Sequence, residues 1–432
     1  MPEADLQPRK QDGAGLAPAS GVPDPLPPGA SSALARNIPV MAITTAMNVG
    51  SMMLWMPVLS LILRDLGASD LVISTASACW LVFSAMFQYW GGRLTDRLGR
   101  VPVMVWPGLL SAVSIAACAA ATRWQVFVVL YALYNTGHAL QGPVFASIVG
   151  ESVPAARRGQ AFAVIEFGIG IGVIIGPLLG AVLMPLVGVR GLLILSGIIL
   201  AAAAGLRQMY LRETRARNAV QAHFAIGHLF APRLARVLLI LICFNVLLAL
   251  TVWGPFLSLH ASDAMGLDKP AINRLAAMGS AAGVLISFVA GRAVGRWGAQ
   301  PILSGGFIGL AVTALLWSLQ RTSPAIIVTY ILMNMAFQVT MISSDTFRVH
   351  QVDEEIRGRA LGAMGMITSL MTAPVVPIIG WLRTTVGSGV PFYATLIPAA
   401  IGVWALAKLA QQHGQTHGHG HAVPVAESGV AT

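Results

Sequence analysis

Apolar residues fill this chain in runs of roughly twenty, the length a helix needs to cross about 30 Å of hydrocarbon, and polar or Gly/Pro clusters separate the runs. Twelve of them can be marked: 38–63, 71–90, 101–121, 125–149, 160–186, 191–211, 237–260, 275–294, 302–319, 325–347, 360–382 and 391–409. None alternates apolar and polar positions in the ten-residue segments of a membrane barrel, so each predicts a helix. The polar segments set the expected organisation. Residues 1–37, rich in Pro, Gly and Ala, predict a disordered tail and not a cleaved signal peptide. Residues 38–211 and 237–409 predict two six-helix bundles, 212–236 a linker and 410–432 a His-rich tail. The expected fold class is an all-α membrane protein of twelve transmembrane helices, arranged as two pseudo-symmetric bundles.

Composition agrees. Of 432 residues, 56% are hydrophobic and 10% charged, against about 25% charged in a soluble domain. The net charge of +10 invites a nucleic-acid reading, but its distribution points elsewhere. Arg93, Arg97, Arg100, Arg157, Arg158, Arg212, Arg215, Arg217, Arg357 and Arg359 all fall in loops on one side, and Arg64, Arg123, Arg190, Lys269 and Arg321 on the other. That is the positive-inside bias. It predicts both termini in the cytoplasm, a lipid bilayer as partner and no nucleic acid; the expected location is a bacterial inner membrane. Cys79, Cys118 and Cys243 sit inside spans without metal-type spacing and read as small apolar residues.

The chain also repeats itself. Gly91-Gly-Arg-Leu-Thr-Asp-Arg-Leu-Gly-Arg100 follows the second span, and a worn copy, Gly291-Arg-Ala-Val-Gly-Arg-Trp-Gly298, follows the eighth. The same displacement carries Tyr131-x-Leu-x-Asn135 onto Tyr330-x-Leu-x-Asn334 and Arg158-Gly159 onto Arg357-Gly358. With a drift of a single position it carries Trp55-x-Pro-x-Leu-Ser-Leu61 onto Trp253-x-Pro-x-Leu-Ser-Leu259. Parallel halves related by an axis along the membrane normal are an arrangement of alternating-access transporters.

Gly92-x-Leu-x-Asp96-Arg97-x-Gly99-Arg100 resembles the signature loop of the major facilitator superfamily, and the likeness extends over about residues 38–409. The resemblance implies the major facilitator fold, with Asp96 accepting hydrogen bonds at the start of the eleventh span near residues 360–363 as a gating latch. The plainer alternative is a loop that only sets topology. Gly295 stands where Asp96 would recur, so the expected latch is one-sided. Gly172-x-x-x-Gly176-Pro177-x-x-Gly180 resembles the fifth-span motif of drug:proton antiporters, departing from it at Ala181; its other reading is tight helix packing, against the eighth span. The antiporters' fourth-span Arg-x-x-Gln-Gly has only His138-x-x-Gln141-Gly142 as its counterpart.

The family's cavity is lined by the first, fourth, seventh and tenth spans, and each carries a polar or aromatic stripe at helical spacing: Asn48, Met52 and Trp55; Tyr131, Asn135 and His138; Asn245, Trp253 and His260; Asn334, Gln338, Met341 and Asp345. These are the candidate path, with hydrogen bonding between helices as the alternative for any one of them. Titratable groups inside a membrane are functional candidates by default, so His138, Glu166 and Asp345 are the coupling candidates; an ion pair with Arg292 or Arg296 is the alternative for Glu166. His413, His417, His419 and His421 could bind a transition metal or form a flexible polar end.

A primary pump would need a nucleotide-binding Gly-Lys-Ser/Thr, and a membrane enzyme a nucleophile motif such as Gly-x-Ser-x-Gly; neither occurs. The leading expectation is a monomeric secondary active transporter that exports a small organic or drug-like molecule in exchange for protons and needs no cofactor. The alternatives are transport of iron, copper or a metal chelate, and a transporter-like sensor without flux.

Overall fold

A computed structural model describes residues 36–214, 232–352 and 357–418, without the side chains of Gly92, Asp96, 357–359, 412–418 and a few other positions. Regular structure among the described residues is entirely helical. The second, third, fourth, eighth, ninth and tenth spans are single helices: Asp70–Leu98, Arg100–Cys118, Trp124–Ser152, Lys269–Trp297, Ala299–Leu319 and Ser323–Val349. Ser69 Oγ accepts from the Val72 N–H at 3.4 Å and Asp268 from the Ala271 N–H at 2.8 Å, so the second and eighth spans start on matching side-chain caps.

Arg158–Tyr210 runs for 53 residues, about 80 Å at 1.5 Å per residue, far more than a bilayer can hold. Gly188 breaks it with φ 67° and ψ 177°. Packing shows that the chain turns back there. Gly168 faces Ala42 and Gly180 faces Leu54 of the first span, while Ser196 meets Trp55 and Arg207 meets Thr44 of that same span in the opposite order. The stretch is therefore the fifth and sixth spans, as the polar break at 187–190 leads one to expect.

The first span is Asn37–Met53, a 3₁₀ turn at Met56–Val58 and Leu59–Asp65; the seventh is Pro232–Leu250 followed by Phe256–Met265. Both breaks fall on the repeated Trp-x-Pro, because proline removes a helical N–H and crowds the preceding turn. The eleventh span is Arg357–Thr372 with Val375–Val386, and the twelfth Val390–Tyr393 with Leu396–Gly418. All twelve crossings expected from the hydrophobic pattern are accounted for.

Duplication is written in the backbone as well. Glycines with left-handed φ pair as Gly67 with Gly266, Gly99 with Gly298 and Gly188 with Gly387, each at the displacement that carries Gly92 onto Gly291. These turns need a residue without a Cβ, which is why the pairs outlast the neighbouring sequence.

Each half encloses aromatic residues in its core. Trp55, Phe127, Tyr131 and Tyr134 are buried in the first, and Phe256, Phe307, Trp317 and Phe392 in the second. Exposed apolar side chains cover the periphery, among them Phe167, Leu186, Leu285 and Ile397. Such a surface suits lipid and not water.

Candidate substrate path

Consider first the end of the molecule that carries Asp65, Asp70 and Asp263. Arg383 of the eleventh span, its side chain 3% exposed, pairs with Asp70 of the second and with Asp263 Oδ2 of the seventh at 2.5 Å. Arg64 of the first span reaches Asp70 at 2.8 Å and Asp263 at 2.5 Å. Lys269 pairs with Asp65 beside them. Charges alternate around this network, and its members come from both halves. Just below, Asn273 of the eighth span donates to the Leu54 carbonyl at 2.8 Å, across the same seam. Every hydrogen bond resolved between halves among the described residues lies toward this end.

The opposite, basic end is tied within one half. Gly99, at φ 97°, hands the second span to the third. The Glu213 carboxylate accepts from the backbone N–H groups of Arg100 at 2.8 Å and Val101 at 3.1 Å. An anion there satisfies open N–H groups at a helix start and complements its dipole. Arg100 pairs with Glu151 of the fourth span at 3.0 Å, and Thr214 donates to Glu151 at 2.7 Å. Asn37 binds Ser152 Oγ at 3.0 Å and brackets the Arg212 backbone. The second span packs along the eleventh, where Ala360 is buried. The side chains of Gly92 and Asp96 lie outside the described residues, so the expected latch is not part of this geometry; Arg97 is exposed.

Between the two ends the striped residues divide. His138 is exposed and stacks on Tyr134 with ring centroids 6.3 Å apart. Trp253 is 50% exposed and lies 6.4 Å from Phe337 of the tenth span. Met52, Asn135, Asn245, Gln338 and Met341 are half-buried. Others are turned into the protein. Trp55 is fully buried, edge-on to Tyr131 and Tyr134, and donates to Ser196 Oγ at 3.2 Å. Tyr131 also packs 4.0 Å from Trp80. Asn334 is buried against Gly279 of the eighth span, and His260 holds the Ser388 carbonyl at 3.1 Å. Asn48 is buried with its Oδ1 unpaired.

Of the two acids, Asp345 pairs with Arg348 on its own helix at 2.6 Å. Glu166 is exposed, and among the described residues it makes no ion pair, with Arg292, Arg296 or any other cation. The two carboxylates come from different halves and lie close enough for their charges to interact.

The fifth-span glycines face the first span over most of their length, not the eighth. A Cβ added at Gly168, Gly172, Gly176 or Gly180 would run into the carbonyl oxygen of Ala42, Ala46, Gly50 or Leu54, at 2.7 Å for the first two and closer for the others. Pro177 is buried in the same face. The eighth span touches this helix at Gly170, against Val284, and through Asn273 at Gly180.

One group escaped the sequence reading. Arg207, 3% exposed, reaches from the sixth span to Thr44 Oγ1 of the first at 3.0 Å and Gln141 Oε1 of the fourth at 2.7 Å. Gln141 is held in turn by the Gly137 carbonyl at 2.9 Å. A lone arginine inside the apolar span 191–211 was the available signal. Among the described residues no group of three or more His, Cys, Asp or Glu could hold a metal ion. The side chains of His413 and His417, and the whole of His419 and His421, lie outside them.

The architecture is that of a helical membrane protein with two related halves and a polar seam between them. The profile of the Major Facilitator Superfamily matches residues 41–262 and 239–427, and the chain belongs to that family, which is one of transporters and not of enzymes. It is 36% identical over 92 residues to the "Uncharacterized MFS-type transporter YhjO" of Bacillus subtilis, covering 21% of this chain and 23% of that one. It is 24% identical over 268 residues to the "Multi-drug resistance efflux pump PmrA" of Streptococcus pneumoniae, covering 60% and 62%. It is 28% identical over 145 residues to the "Tetracycline resistance protein, class B" of Escherichia coli, covering 33% and 35%. The chain thus spans less than two thirds of the length of each of these relatives. Among solved structures, the nucleoside transporter NupG superposes with a TM-score of 0.70 at 14% identity, covering 87% of this chain and 99% of that one. The human organic anion transporter MFSD10 gives 0.65 at 16%, covering 86% and 99%. At such identities the likeness is one of fold.

Proposed function

We propose that this chain is a proton-coupled secondary transporter that exports small, drug-like organic compounds from the bacterial cytoplasm by alternating access. The carrying observation is the seam: Arg383, Arg64, Lys269 and their three aspartates fasten the halves at one end, where every hydrogen bond resolved between halves among the described residues lies. With the basic end placed in the cytoplasm by the positive-inside bias, the outer side is shut, and His138 and Trp253 line a path that opens inward. Both halves are present in one chain, so a monomer suffices. Export of drugs is supported by what the relatives' names say of those proteins. Glu166 and Asp345, one from each half, are where a proton would compensate charge as the inner side closes, because two carboxylates brought near each other resist joint ionisation. In this reading Asp96 and Arg97 latch the same movement. No observation favours the metal reading.

The test is flux into proteoliposomes of the full chain under an imposed pH gradient, with tetracycline and a panel of fluorescent amphiphiles as probes. Gradient-driven accumulation that a protonophore abolishes is expected. Glu166→Gln or Asp345→Asn should suppress uphill movement while sparing downhill exchange. Absence of flux for every probe, from protein shown to be folded, would leave a sensor and end the transport proposal.

A further inference from the structure

Arg207 presents an imbalance that the transport scheme leaves unused. Its guanidinium is buried among three spans, yet both of its hydrogen bonds go to neutral oxygens, Thr44 Oγ1 and Gln141 Oε1. Among the described residues no carboxylate pairs with it. A buried charge is normally paired, because leaving water is costly and attraction to a counter-charge offsets that cost, and within a membrane the demand is stricter. Two of its five N–H donors are spent. His138 is close enough to interact electrostatically with Arg207, and it stands exposed one turn before Gln141 on the fourth span. That exposed ring marks the side from which a ligand would reach the guanidinium.

We infer that Arg207, with Gln141 as its support and His138 at its mouth, is a subsite for the carboxylate of an amphiphilic organic anion or zwitterion. This rests on the transport proposal and narrows its substrate class. Thr44 and Gln141 accept from the guanidinium and hold its plane, which leaves the outer edge of the fork for a planar, bidentate acceptor. Arginine matches a carboxylate in that geometry better than lysine does. The His138 ring, stacked on Tyr134, would receive the apolar body of such a ligand. The counter-charge missing from the protein arrives with the cargo.

Binding tests this independently of flux. Purified full-length protein is titrated with aromatic carboxylates and their uncharged amides (salicylate against salicylamide, 2-naphthoate against 2-naphthamide, and larger pairs), with thermal stabilisation as the readout. At least one carboxylate is expected to bind about tenfold more tightly than its amide, equivalent to about 1.4 kcal/mol. Arg207→Gln should abolish the preference, and Arg207→Lys should retain part of it. His138→Ala, on an exposed side chain, should weaken binding while leaving the fold intact, and so guards against an Arg207 variant that fails to fold. No preference for carboxylate in any pair, or a preference that survives in folded Arg207→Gln, would overturn the inference and leave the transport proposal standing. Equal Arg207-dependent stabilisation by chloride alone would also overturn the carboxylate assignment.

Discussion

Replacing Arg383 by Gln should open the outer side of the protein. The guanidinium is 3% exposed and serves Asp70, 15% exposed, and Asp263, 35% exposed. Removing one partner of a well-buried ion pair costs about 3–5 kcal/mol, because the other charge is left desolvated. Arg64 still reaches both carboxylates, and Asp263 is partly wet, so the loss falls below that range, at about 2–3 kcal/mol. Only the Arg383–Asp70 pair joins opposite halves and exists only while these ends meet, whereas Arg383–Asp263 lies within the second half, so about 1–2 kcal/mol of the loss falls on the outward-closed state. The population ratio should shift by roughly 5- to 30-fold toward the outward-open state. Spin labels at Arg123 and Thr322, exposed at the same end on opposite halves, would report it in a background lacking Cys79, Cys118 and Cys243. The expected result is a distance distribution moved to longer values in most molecules. An unchanged distribution from folded Arg383→Gln would refute the view that this network holds the state.

Packing makes a second test. Gly180→Ala drives a Cβ into the Leu54 carbonyl and the Asn273 amide, whereas Gly170→Ala meets only Val284 methyls at 3.7 Å; overpacking of about 1–3 kcal/mol should lower the apparent melting temperature of the first and spare the second. Asp96→Asn should impair transport while leaving membrane insertion intact, and wild-type rates in vesicles would remove the latch. His138→Ala should reduce substrate affinity or flatten the pH dependence of flux; if both stay unchanged, His138 is not in the path. Glu213→Gln should weaken the start of the third span, seen as faster amide exchange at Arg100 and Val101, and unaltered exchange would mean that the carboxylate's charge contributes nothing there.

Much of the fold was legible because membrane thickness fixes span length, and because apolar runs cannot hide their ends. The Trp-x-Pro repeat gave a duplicated motif, and folding turned it into a duplicated helix break, since proline acts locally. The site was less legible for reasons that differ from residue to residue. Asp70 and Arg383 stand 313 positions apart, and nothing in either neighbourhood names the other. The fifth-span glycines announce close packing, but the face they meet is set by how the first span lies, and the eighth meets the motif only at Gly180. Trp55 and Asn334 share a helical spacing with exposed residues, yet spacing does not say on which side of the stripe the neighbouring helix sits. Arg207 needed three spans to be assembled before its lack of a counter-charge could be recognised.

The ladder of four glycines against four carbonyls has a mechanical consequence. At these positions glycine backbone meets first-span carbonyls, with only the Cβ atoms of Ala46, Val49 and Met53 beside them, so the contact holds little that can yield. Over that length they act as one stiff beam. Rocking must then be taken up at the softer joint beside it, where Gly170 touches Val284 and Asn273 hangs on the Leu54 carbonyl by a single hydrogen bond. The pivot of the molecule is accordingly the seam between the fifth and eighth spans, and the glycines serve it by keeping the lever from bending.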